Sequence, residues 1–247
     1  MEQNLLLFVL VGFLAQMIDG ALGMAYGVSS TSVLLSIGIP PAVASACVHM
    51  AEIFTTAISG LSHLRFGNVH KDLVTRLLIP GVLGGVLGAY ILTSMPGDRI
   101  KPFVALYLLV MGAIILRKAF QTTRSQIVRS HIVPLGFAGG FCDAIGGGGW
   151  GPIVTSTLVA RGNDPRFTVG SVNLAEFFVT FSQSVVFLLT LRMVQHWQII
   201  VGLLIGGVLA APLAAYVCKK LPTRALMGLV GGLIMLLSLR TIYLALR

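Results

Sequence analysis

Asp19 and Glu52 recur at the same spacing, 124 residues later, as Asp143 and Glu176. These four make up half of the eight acidic residues, and each lies inside an apolar stretch. A carboxylate at membrane depth is costly unless it is paired or carries a proton, so its chemistry there is proton binding or the lining of a polar site. Glu52 belongs to His49-x-x-Glu52 and Glu176 to Asn173-x-x-Glu176. Positions i and i+3 share a helix face, so each pair can point into one cavity, and a histidine can pass a proton near neutral pH. Glu52 and Glu176 are therefore the candidate proton-coupling groups. The structural alternative is that each bonds a neighbouring helix.

The aspartates sit where their apolar segments are interrupted, at Asp19-Gly20-Ala21-Leu22-Gly23 and at Asp143-Ala144-Ile145 followed by Gly146–Gly149. A broken helix exposes unpaired N–H groups whose positive end holds an anion. Gly23, Gly27, Gly147, Gly148 and Gly151 let the backbone approach a ligand closely. Ser30, Thr31 and Ser32 follow in one copy, Thr155 and Ser156 in the other, as hydroxyl donors without charge. With Asp19, Asp143, His49 and Asn173 they form the candidate substrate site. The plainer reading makes the aspartates helix caps and the glycines packing positions. Trp150, opposite Tyr26, is either a cavity wall or a packing residue. The run Gly146–Gly151 lacks the Lys-Ser/Thr of a phosphate loop. His49-x-x-Glu52 has no second histidine cluster, so no metal or other cofactor is expected.

The elements that position these residues follow from composition. The 247 residues are 56% hydrophobic and 10% charged, with mean hydropathy +0.93. Soluble domains carry about 25% charged residues. Apolar segments run over 5–37, 41–61, 73–93, 102–116, 132–160, 167–191, 197–218 and 225–246, most of them long enough for a helix to cross a bilayer. Without period-2 alternation, the expected fold is all-α and polytopic. The opening stretch has Glu2 and no leading cation, and its pattern returns in mid-chain, so it reads as part of the fold rather than a signal peptide.

Superposed at the 124-residue shift, 11–56 and 135–180 are identical at 15 of 46 positions. Two repeats are expected, 1–125 and 126–247, joined by the polar stretch 117–130. Segments one and five are either single broken helices or hairpins that return to their starting face. As hairpins they place 12 of the 17 Lys+Arg on one face; as single crossings the split is 10 against 7. The positive-inside rule favours hairpins, inverted repeats and both termini outside.

The net charge of +9 resides in these short loops, which excludes nucleic acid as the expected partner. The three cysteines have no CxxC spacing, so neither a disulfide framework nor a zinc site is expected. No nucleophile–base pair is present, so an enzyme is not expected. His63, His70 and His196 read as solvated loop residues.

The sequence resembles the sulfite exporter TauE/SafE family of small bacterial membrane permeases. The features are G-F-x-x-x-x-x-D-x-x-x-G-x-x-x-G at Gly12–Gly27 and again at Gly136–Gly151, Pro41 and Pro165, and the pairs Ala51-Glu52 and Ala175-Glu176. The resemblance implies export of sulfite or related organosulfonates across the cytoplasmic (inner) membrane. The expected function is a secondary transporter of a small anion, proton-linked through Glu52 or Glu176 and working by alternating access. The alternative is an anion channel or uniporter for a different small oxyanion or carboxylate. Expected partners are the anion, the lipid bilayer and a second copy of the chain.

Overall fold

A computed structural model describes residues 4–22, 24–120, 131–161, 163–218 and 223–245. The described chain is all helical: α1 Leu5–Leu22, α2 Tyr26–Ser36, α3 Pro41–Arg65, α4 Lys71–Ser94, α5 Gly97–Ala119, α6 Ile132–Gly146, α7 Ser156–Ala160, α8 Pro165–Thr190, α9 Trp197–Cys218 and α10 Thr223–Ala245. A π-helical turn, Gly151–Thr155, leads into α7, and a 3₁₀ turn, Met193–His196, precedes α9. Among the described residues, six helices are long and apolar enough to cross a membrane; α1 and α6 are shorter.

Contacts at glycines, where backbones meet, give the helix directions. Leu5 and Phe8 lie at Gly202, and Val9 and Phe13 at Gly206, so α1 runs parallel to α9. Gly136 meets Leu77 and Pro80 while Gly88 meets Phe141 and Ala144, so α6 runs parallel to α4. Gly170, in α8, meets His63 and Asn68 at the end of α3, so α3 and α8 are antiparallel. Gly97, opening α5, lies by Pro40 and Pro41, and Arg240 of α10 donates to the Ser36 carbonyl.

These contacts make both broken segments hairpins. The α1–α2 pair enters from the face where α3 begins and returns to it. The pair of α6 with the π turn and α7 enters from the opposite face, where α8 begins. Leu5 and Ala245 lie on the first face. Residues 66–70, 161 and 163–164 lie on the second, as do the ends of α5 and α9. The halves interlock, because α1 packs on α9 and α6 on α4.

Backbone geometry explains the breaks. In the second hairpin Gly147 and Gly148 have φ of +65° and +143°, open to glycine at no steric cost. In the first, Ala25 adopts φ +101°, a strained conformation for an L-residue. Gly27 and Gly148 meet at the molecular centre: a Cβ on Gly27 would stand 2.6 Å from the Gly148 Cα.

Candidate functional site

Each aspartate bridges its own break. Asp19 Oδ1 accepts the backbone N–H of Tyr26 at 3.2 Å, and Asp143 Oδ1 accepts that of Trp150 at 3.0 Å. In both cases the donor opens the second arm of the hairpin, where N–H groups lack intrahelical partners. The carboxylates therefore cap these arms and occupy one donor of each.

Between the hairpins lies a cavity of about 200 Å³. Its wall is formed by Gln16 and Asp19 of α1, the first break from Met24 to Val28, and Asp143, Gly148, Gly149, Gly151 and Pro152 of the second break. Helix α3 adds Glu52, Thr55, Thr56, Ser59 and His63, and α8 adds Val169, Asn173 and Glu176. The α3 residues are spaced three and four apart, one stripe of a helix. Glu52 is 5% exposed, and its Oε2 has no hydrogen-bond partner. Asn173 donates to the Ser59 hydroxyl at 2.7 Å.

The cavity brings together Asp19, Gly27, Asp143, Gly148, Gly151, Asn173, Glu52 and Glu176 from the sequence reading. Ser30, Thr31, Ser32, Gly147, Thr155, Ser156 and His49 lie outside its wall. Ser32 and Ser156 turn back to the carbonyls of Val28 and Pro152, the local bond that hydroxyls make within helices. Thr31 donates to the Gly147 carbonyl and ties one break to the other. The Ser30 hydroxyl is buried without a partner, and Thr155 is buried. Gly23 lies outside the described residues. Trp150 is fully buried; its indole N–H donates to the Val172 carbonyl.

Spacing alone did not indicate several polar neighbours. Gln183 donates to Asp143 Oδ2 and to the Gly140 carbonyl, and the Tyr107 hydroxyl donates to the Gly148 carbonyl at 3.1 Å. His63 is on α3 at the cavity mouth rather than in a loop. One available signal was that Ser59 and Gln183 are equivalent at the 124-residue shift.

The cavity supports acid–base exchange with buried carboxyls. Among the described residues, no Lys or Arg lines it, and no group of three or more His, Cys, Asp and Glu is placed to hold a metal.

The sequence profile of the sulfite exporter TauE/SafE family matches residues 8–241. The chain belongs to the TauE/SafE family. Among curated proteins it is similar to the probable membrane transporter protein YtnM of Bacillus subtilis (strain 168), at 45% identity over 97% of this chain and 83% of that protein. No solved structure matches. As a TauE/SafE protein with six spanning helices, the chain is a multi-pass membrane transporter and not an enzyme.

Proposed function

We propose that this transporter exports small sulfur-containing anions such as sulfite or organosulfonates across the cytoplasmic membrane. Transport is coupled to protons carried by Glu52 or Glu176, and its two inverted repeats give alternating access. The shape of the cavity carries this reading. Helix α3 contributes to the wall from Glu52 to His63 and nothing earlier; α8 contributes from Val169 to Glu176 and nothing later. The chamber thus reaches from mid-depth toward one face and stops against the packed breaks. A standing pore would continue through, so the geometry favours a carrier over a channel.

The cavity opens toward the face of the basic joints, which the positive-inside rule makes cytoplasmic. Both termini are then outside, and the cavity faces inward. A bare anion entering it meets Asp19, Glu52, Asp143 and Glu176 with no lining Lys or Arg to offset them. Protons on the glutamates lower that repulsion, which ties anion binding to proton binding.

The test is flux of radiolabelled sulfite into proteoliposomes, with and without an imposed pH gradient, for wild type, Glu52→Gln and Glu176→Gln. Saturable flux that follows the gradient and is lost in either variant supports a proton-coupled carrier. Flux indifferent to gradient and substitutions means a uniporter or channel, and absence of sulfite flux discards the substrate.

A further inference from the structure

A buried pair that crosses between the halves lies at the closed end of the cavity. His49 of α3 is fully buried and Asp143 of α6 is 1% exposed. The ring Nδ1 lies 2.7 Å from the Ser45 carbonyl oxygen, which can only accept, so Nδ1 bears a hydrogen. The Ser45 hydroxyl gives its own hydrogen to the Ala144 carbonyl at 2.6 Å and offers Nδ1 only a lone pair. Nε2 stands 3.0 Å from Asp143 Oδ2. Two bare acceptors do not sit at hydrogen-bond distance in a dry interior, so one further proton lies between ring and carboxyl, on either atom.

The other donors to Asp143 do not supply that proton. Oδ1 takes the Trp150 N–H. Oδ2 takes the Gln183 amide, whose orientation the Gly140 carbonyl sets. Among the described residues, the first half of the chain has no equivalent pair. Asn173 occupies the position matching His49, and it turns to Ser59 instead of Asp19.

We propose that His49 and Asp143 form a proton-bearing bolt: it holds the far end of the cavity shut, and the path to the opposite face opens only when the two part. The inference rests on the alternating-access reading above. The bolt joins α3 to α6 in the layer where Ser45 bonds Ala144 and Thr31 bonds Gly147, beyond the last cavity-lining residue of α3. Parting leaves either an unpaired charge or a bare acceptor in a dry site, so the proton must settle on one partner or pass to a neighbour. The ionisable groups that interact with Asp143 are Glu52 on α3, Glu176 on α8, Tyr107 on α5 and Cys142 on α6. Asp143 itself lines the cavity, and Glu52, one turn along from His49 and with one oxygen unpartnered, lines it beside the bolt.

Two measurements test this without a known substrate, so they stand apart from the flux assay. The first is nitrogen NMR of the full chain in lipid nanodiscs with ¹⁵N-histidine, the His49 signals being identified by their loss in His49→Asn. A protonated Nδ1 is expected; a bare Nδ1 overturns the bolt. The second is labelling of Ser45→Cys by an impermeant maleimide from the far face, with the parent chain as blank. Adding His49→Asn raises the rate on the order of ten-fold. Adding Asp143→Asn raises it less, because an Asn amide still donates to Nε2. Equal rates in all three chains overturn the bolt, and if His49→Asn does not fold, the histidine signal that shifts in Asp143→Asn identifies His49 and its Nδ1 state decides; no shifted signal overturns the bolt.

Discussion

At the first break, Asp19 accepts the backbone N–H of Tyr26, its one bond among the described residues, and lines the cavity. At the second, Asp143 makes the matching bond to Trp150 and is also held by His49 and Gln183. The backbone device is the same in both halves, a carboxylate reaching across a break to cap the returning arm. The side chains behind it are not: His49 stands opposite Asn173, Gln183 opposite Ser59 and Gly140 opposite Gln16. The two halves thus place one acid in the cavity wall with a single backbone bond and one that is also held by His49 and Gln183, and the two breaks are not equivalent half-sites.

The sharpest way to break this comparison is to remove each aspartate in turn. Asp143→Ala leaves His49, Gln183 and the Trp150 N–H without their acceptor, at a cost of about 3–5 kcal/mol. Asp19→Ala loses one cap, about 1 kcal/mol. Thermal unfolding followed by size-exclusion chromatography should show the first variant largely lost and the second retained; equal losses would erase the distinction. Next in size is Gly148→Ala, which adds a Cβ against the Gly27 and Val28 backbones at a φ that disfavours it. A loss of about 2–3 kcal/mol is expected by the same assay.

Gln183→Ala against Ser59→Ala compares equivalent positions. The first removes two bonds to buried acceptors, about 1–2 kcal/mol, and the second removes one acceptor at a wetted wall, under about 0.5 kcal/mol. One substitution should give a gain. Ala25→Gly relieves the positive φ of the first break and should raise the melting temperature by an amount equivalent to about 1 kcal/mol. A loss there would mean that Ala25 holds the break by packing.

The sequence showed the fold more readily than it showed the site. Apolar runs marked the spanning helices, the glycines marked the breaks, and the split of Lys and Arg distinguished hairpins from single crossings. These are properties of one segment at a time. The bolt is not such a property. His49 and Glu52 share a helical spacing and were read as a pair, but the ring turns to Asp143 in the other half, a contact set by packing between helices. The hydroxyls of Ser32 and Ser156 matched a donor-rich site by type, yet each satisfies a carbonyl one turn back on its own strand of chain. Side-chain direction, not residue type, separates lining from packing here.

The interlocking of the halves also governs how the chain can be assembled. Helix α1 finds its packing surface on α9, and α4 finds its own on α6. When the first half leaves the ribosome, both surfaces are still facing lipid, and Asp19 sits on a hairpin too short to span by itself. The early helices must therefore be held at the insertion machinery, or wait loosely in the bilayer, until α6 and α9 arrive. A nascent chain arrested before α6 is the form a membrane quality-control protease should recognise first.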